Sequence, residues 1–276
     1  MDHLAYCRGI DLPDEALDCI RQSAITEAEY AGLKSLFYRD IPAFQQRVLS
    51  YKDWRQRLLY LYTRLASETW EEYQQRGIPE KVFWDTYSDQ KTWYGNCLRM
   101  FGEPGLAEYD WLWLPMRFLL FRLGRLQFIP KALEKPLALE HIKLPAGAVV
   151  LDTHIAQGEP LDMDAVHDSF GQALRFFRGV YPVFVCHSWL INPALQDILP
   201  ATSRIVQFQR LFTAFDIDDN ERQAEERIFG RLLDHPAGYP EETSLQRSVK
   251  QYLLAGNKLG VAWGAYCPKQ GINTIV

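Results

Sequence analysis

The side chains best placed to move a proton in this chain are a histidine at the end of one apolar stretch and a serine and a cysteine in another. Val149 to Ile155 reads as a strand, with Asp152 and His154 on one face and Thr153 and Ile155 on the other. Val183 to Leu190 reads as a second strand, with Cys186 and Ser188 on one face and His187 and Trp189 on the opposite one. Imidazole accepts a proton near neutral pH, so His154 is a candidate general base. Ser188 or Cys186 can return a proton to a leaving group. If the two strands are neighbours, the histidine and the thiol or hydroxyl are expected close together. A nucleophilic Cys–His pair is a sharper alternative, but it needs an activated thiol and an oxyanion hole. A cysteine inside an apolar strand is also an ordinary small core residue.

Between the two strands lie the turn Ala156-Gln157-Gly158-Glu159-Pro160 and a helix from about Asp162 to Arg178, with Val166, Phe170, Ala173, Leu174 and Phe177 on one stripe. A strand that feeds a helix through a glycine-bearing turn can hold an anion on free backbone N–H groups and the helix dipole. The glycine density is below that of a nucleotide fingerprint, and Glu159 brings an opposing charge.

The rest of the chain must position these residues. Its first part reads as helices. Thr26 to Glu29 fits a capping box. Leu58, Leu61, Tyr62, Leu65 and Tyr73 recur at helical spacing, Gly77 reads as a stop and Pro79 as the next helix's first residue. A short helix is expected over Leu106–Leu112. Trp54, Trp70, Trp84, Trp93, Trp111 and Trp113 either fill a core or line an apolar pocket. After Pro115 the pattern turns to mixed α/β. Leu123 to Phe128 alternates, with Arg125 and Gln127 on one face. Leu137–Leu144 and Val149–Ile155 read as two strands joined at Pro145-Ala146-Gly147, Ser203–Phe215 as a strand, Asp216–Glu226 as a solvated loop or helix start, Thr243–Ala255 as a capped helix and Val261–Tyr266 as a last strand.

The chain has 276 residues, 47% of them hydrophobic, and a net charge of −5, which disfavours nucleic acid as the main partner. The apolar stretch Trp111–Leu123 is broken by Pro115 and carries Arg117 and Arg122, so no membrane span is expected. The first residues lack the pattern of a secretory signal, and the five cysteines show neither zinc spacing nor a disulfide framework. These features predict a cytoplasmic protein with free thiols and no metal.

One combination of residues points to a family. Gly124-Arg125-Leu126-Gln127-Phe128, then His154-Ile155 with Gly158 and Pro160-Leu161, then Cys186-x-Ser188-Trp189-Leu190 with Pro193 and Leu195 resembles bacterial proteins that join a helical N-acyltransferase N-terminal domain to a GNAT-like C-terminal acyltransferase domain. The specific likeness spans about residues 120 to 215. It implies an α+β protein in which a helical domain over residues 1–115 precedes a GNAT-like mixed sheet, flanked by helices, over residues 116–276. It further implies a sheet splayed open between Leu151–Ile155 and Val183–Leu190, with acyl-coenzyme A in the splay. The pantetheine would bond the backbone of Thr153–Ile155, and the pyrophosphate would meet Gln157, Gly158 and the following helix. The acceptor amine, on a small molecule or peptide, would lose its proton to His154, with Ser188 or Cys186 as acid. Trp189 would shape the acyl pocket, and Arg125 and Gln127 would hold the acceptor.

The chain departs from the family pattern at the phosphate turn. Only Gln157-Gly158 stands, followed by Glu159-Pro160, and Ala156 replaces an expected proline. Pro160 also removes an N–H donor. This departure favours a second reading, a non-catalytic protein that binds a small molecule or partner on the same fold. The Cys–His hydrolase is a third.

Overall fold

A computed structural model describes residues 1–268 and divides the chain into two compact units. The first comprises Met1–Leu123 and Ala156–Gly158; the second comprises Gly124–Ile155 and the chain from Glu159 onward.

The first unit is helical: α1 (His3–Gly9), α2 (Asp14–Arg21), α3 (Glu27–Arg39), α4 (Ile41–Leu49), α5 (Trp54–Glu68), α6 (Trp70–Gln75), α7 (Glu80–Tyr87) and α8 (Asp89–Phe101), then the short strand β1 (Phe121–Leu123). Phe83 sits at the centre of its core, with ring centroids of Trp70, Tyr73, Trp84 and Tyr87 4.8–5.1 Å away. None of the six tryptophans named above is fully buried. Each indole has a polar edge, and three of them spend it locally: Trp84 Nε1–H donates to Glu80 at 2.9 Å, while Trp93 and Trp111 both donate to Asp89. Thr26 caps α3, but Glu29 does not close the box, because its carboxylate accepts from Arg57 and Tyr51 instead. Pro79 is the N-cap of α7 rather than its first residue. No helix forms over residues 106–112; the chain is irregular to Glu108 and then makes turns.

The second unit contains β2 (Leu126–Ala132), β3 (Leu137–Leu139), β4 (Ile142–Leu144), β5 (Val149–Ile155), α9 (Met163–Phe176), β6 (Phe184–Ser188), α10 (Leu195–Ile198), α11 (Arg204–Gln209), β7 (Thr213–Asp218), α12 (Gln223–Phe229), α13 (Ser244–Leu254) and β8 (Val261–Tyr266). Its main strands stand in the order β2-β5-β6-β8-β7; only β5 and β6 are parallel, and the other pairs are antiparallel. A parallel neighbour needs a crossover, and α9 supplies it. Phe170 of α9 packs on Phe128, Phe184 and Tyr266 beneath the sheet, at centroid distances of 5.9, 4.7 and 4.8 Å. The other face rests partly on the β3–β4 hairpin, whose Leu137 and Ile142 join Val150, Val185 and Ala265 in a cluster. The edge strand β7 carries a bulge between Phe215 and Ile217, with Asp216 at φ 48°.

Three expectations are corrected here. Residues 137–144 are a hairpin of their own, because the polar pair Glu140-His141 makes a turn. Residues 204–209 are helical, since burying Val206 and Phe208 from one helical turn outweighs the strand preference of Ile205 and Val206. Arg125 is not on a strand face beside Gln127: Gly124 (φ 73°) and Arg125 form the turn before β2. A Cβ on Gly124 would lie 2.8 Å from the Ser169 hydroxyl, so glycine is needed there for space as well as for conformation.

Candidate active site

The parallel ladder between β5 and β6 is short. Leu151 faces Phe184 and Asp152 faces Val185, and there the pairing ends. Beyond it, Thr153, His154 and Ile155 remain paired to Phe128, Gln127 and Leu126 of β2. Cys186, His187 and Ser188 remain paired to Gly264, Trp263 and Ala262 of β8. Each strand is held by its outer neighbour while the two part from each other. The sheet opens at its centre, where the family resemblance puts the splay. The side of β5 that faces this opening offers backbone donors and acceptors to an extended ligand.

Cross-strand partners share a face, so the registers assign sides. Asp152, His154, Gln127, Val185, His187 and Trp263 stand on one face; Leu151, Thr153, Phe184, Cys186 and Ser188 stand on the other. His154 is therefore not brought onto the side of Cys186 or Ser188. The opening lies between them.

The His154 face carries a continuous polar set. Asp152 Oδ1 lies 3.6 Å from His154 Nε2, and Asp152 Oδ2 lies 3.5 Å from Lys131 Nζ. The Lys131 ammonium sits 4.7 Å from the centre of the Trp263 ring, which stacks on His187 at 4.6 Å. His187 Nε2 in turn lies 4.0 Å from Glu221. Asp152 is buried and His154 half-exposed. Gln127 is buried directly across from His154.

On the opposite face, Thr153 is 1% exposed, and its hydroxyl has no hydrogen-bond partner among the described residues. Cys186 is equally buried, and burial pushes its thiol well above the usual range, with the nearby Asp152 charge adding to the effect. A thiol kept neutral in this way is a poor nucleophile. Ser188 is half-exposed at the end of β6; its Oγ accepts from the Leu190 N–H at 3.2 Å, which leaves its own O–H able to donate. Trp189 opens the 3₁₀ turn that follows, its indole buried and its backbone N–H donating to the Gln223 side-chain oxygen at 3.0 Å.

The chain after β5 is held separately within each unit. In the first unit, Gln157 and Asn96 of α8 exchange amide hydrogen bonds, at 2.9 and 3.4 Å, and Arg99 donates to the same Asn96. Gly158 has φ 105° with open space around its Cα. In the second unit, the buried Arg125 guanidinium donates to the carbonyls of Glu159 and Pro160, and its backbone N–H donates to Ser169. Arg125 thus ties the chain that follows Gly158 to the middle of α9. Asp162 caps that helix with its own carboxylate, at 3.1 Å from Ala165 N, and Asp164 follows in the first turn.

Asp152, Lys131 and Trp263, and the pair Asn96 and Arg99, were not anticipated from sequence. The Asp152–His154 spacing alone carried a signal, because residues two apart on a strand share a face. Among the described residues no group of three or more His, Cys, Asp or Glu is arranged to hold a metal, and no helix is long and apolar enough to cross a membrane.

Comparison with known proteins agrees with this architecture. No curated protein matches the chain. Among solved structures, an acyltransferase in complex with decanoyl-CoA is 24% identical, with a TM-score of 0.75 over 96% of this chain and 87% of its own. An acyltransferase in complex with decanoyl-CoA and teicoplanin is 22% identical over the same shares, also with a TM-score of 0.75. A mutant acyltransferase in complex with octanoyl-CoA is 22% identical, again over 96% and 87%, with a TM-score of 0.74. Residues 1–118 match the family model described as the N-acyltransferase N-terminal domain, and residues 120–266, more than half the chain, match the GNAT-like C-terminal domain. With a helical first part, a mixed sheet that opens between β5 and β6, and both family models in this order, the chain belongs to the GNAT-like N-acyltransferase family, whose members are transferases.

Proposed function

We propose that this protein transfers an acyl group from acyl-coenzyme A to an amine of a small molecule or peptide. The observation that carries the reading is the opening between β5 and β6, with His154 on one face and Ser188 on the other. A thioester carbonyl lying in the gap meets the amine from the histidine side and frees its thiolate on the serine side. His154 takes a proton from the acceptor ammonium. The amine lone pair attacks the carbonyl, the C–S bond breaks, and the coenzyme A sulfur gains a proton from Ser188 or water. Thr153 and Ile155 present their backbone, and Thr153 its unspent hydroxyl, to the pantetheine. Gln157 and Gly158 form the phosphate turn, and Arg99, one hydrogen bond beyond Asn96, brings the positive charge that this turn otherwise lacks. The residues fit such a ligand best at the strand opening and least well at Glu159 and Asp162. Trp189 walls the acyl end and Gln127 lies on the acceptor side, whereas Arg125 serves by holding the loop. The helical domain, residues 1–115, selects the acceptor, and the GNAT-like domain, residues 116–276, carries the chemistry.

The solved relatives support the co-substrate, since they hold decanoyl-CoA and octanoyl-CoA, and one also holds the glycopeptide teicoplanin. The acidic start of α9 favours the second reading, a non-catalytic binding protein.

Calorimetric titration with acetyl-, octanoyl- and decanoyl-CoA tests the proposal, followed by thiol release in the presence of a panel of small-molecule and peptide amines. Micromolar binding is expected. No binding across the series by folded protein moves the assignment to the second reading. Gly158→Val, which puts a β-branched side chain at φ 105°, is expected to weaken coenzyme A binding by about tenfold or more while the fold stays intact. Unchanged affinity places the phosphates elsewhere. Cys186→Ser is expected to leave transfer nearly unchanged; abolished turnover in a folded variant returns the thiol to the chemistry.

A further inference from the structure

We infer that Asp152 is a positioning residue for His154: its buried carboxylate orients the imidazole and holds the positive charge that the ring gains when it takes a proton. The inference deepens the proposed function and rests on His154 as base, but the arrangement itself belongs to this chain.

Asp152 has 8% of its side chain exposed, and Oδ1 has no hydrogen-bond partner among the described residues, with His154 Nε2 3.6 Å away. A buried carboxylate oxygen left without a donor is costly, and a built protein pairs it or uses it. Both residues sit on the same face of one strand, two positions apart, so the strand itself fixes their approach. Asp152 is also the last β5 residue paired to β6. It is anchored in the intact part of the sheet, while His154 stands beside the opening.

The charges that face this carboxylate are few. From β5 there is His154; from β2, Lys131, 3.5 Å from Oδ2; from β6, His187, whose partner Glu221 follows β7. The Cys186 thiol approaches from the opposite face and is neutral. Lys131 balances the buried charge at rest and lies over Trp263, which limits its motion. When the ring becomes cationic, Oδ1 is the oxygen that meets it. The proton moves from acceptor nitrogen to imidazole and goes no further.

The test reads the histidine directly and needs no substrate. Long-range 15N–1H correlation spectra of the full chain resolve its six histidines; loss of one signal set in His154→Gln assigns the ring. A carboxylate 3.6 Å from Nε2 holds the proton of the neutral ring on that nitrogen, so the Nε2–H tautomer is expected to dominate in the protein and to give way to a mixture in Asp152→Asn, with Asp152→Glu recovering part of the preference. Lys131→Met keeps the carboxylate and is expected to keep the tautomer. A ring that carries its proton on Nδ1 in the unchanged protein, or an Nε2–H preference that survives in Asp152→Asn, overturns the inference, and if that variant fails to fold the unchanged protein's tautomer decides alone. The expected tautomer in a protein that binds no acyl-coenzyme A keeps the inference and removes the acyltransferase proposal, so the two fail separately.

Discussion

His154→Gln is expected to lower the rate of acyl transfer by roughly a thousandfold while leaving acyl-coenzyme A affinity within a factor of about two. The first number is the usual worth of a well-placed general base, on the order of 10²–10⁴. The second follows from position. The opening that would take the thioester is lined by the backbone of Thr153–Ile155, and this survives a change of side chain. Glutamine keeps hydrogen-bonding capacity and near volume at a half-exposed site, so the β5–β2 ladder should stand. The measurement is steady-state thiol release across pH, paired with calorimetry on the same variant. A rate that falls less than tenfold would mean that the acceptor reaches the thioester already deprotonated or through another base, with His187 the nearest candidate on the same face. A rate and an affinity that fall together would make His154 a ligand-binding group rather than a proton acceptor.

Phe170→Ala is expected to have the largest effect on stability. The ring lies beneath the sheet, 2% exposed, and meets Phe128 of β2, Phe184 of β6, Tyr266 of β8 and Phe212, the last at 6.2 Å. Its ring contacts reach strands on both sides of the opening. Removing it leaves a cavity that rings held by three strands cannot close, at a cost of about 3–5 kcal/mol. Denaturant unfolding followed by tryptophan fluorescence should show this loss in the transition of the sheet-bearing unit. Acyl-coenzyme A binding should weaken with it, since the spacing of β5 and β6 depends on what spans them from below. Leu232→Ala, at a half-exposed position, serves as the control and should change stability by less than about 0.5 kcal/mol. A Phe170 variant as stable as that control would show that the sheet does not depend on this ring.

Local rules made much of this fold legible. The helix after Asp162, the strands over 149–155 and 261–266, and the capped helix that begins after Thr243 follow from periodicity and end signals that act within a few residues. The failures lie where distant partners decide. Residues 137–144 needed knowledge that Glu140 and His141 turn, and residues 204–209 needed the pocket that buries Val206 and Phe208. The site shows the same division. His154, Ser188, Gln157 and Gly158 are candidates by type and spacing. Their sides could not, because a parallel register that sets Asp152 beside Val185 puts Thr153 level with Cys186, and one residue of slip would exchange the faces. Lys131 reaching Asp152, and Asn96 holding Gln157, join residues 21 and 61 apart in sequence, and no local pattern announces either.

The bulge in β7 has a bearing on how this protein behaves in a crowded solution. An outermost strand shows a row of unused backbone groups, an invitation for a second copy to continue the ladder. Asp216, turned into the left-handed region, breaks that row in the middle, and Asp218 and Asp219 crowd the same end with negative charge. Two such borders brought side by side would meet a kink and like charges instead of a matching ladder. The same irregularity leaves Ile217, nearly half exposed, without the flat surroundings that an adhesive apolar strip requires.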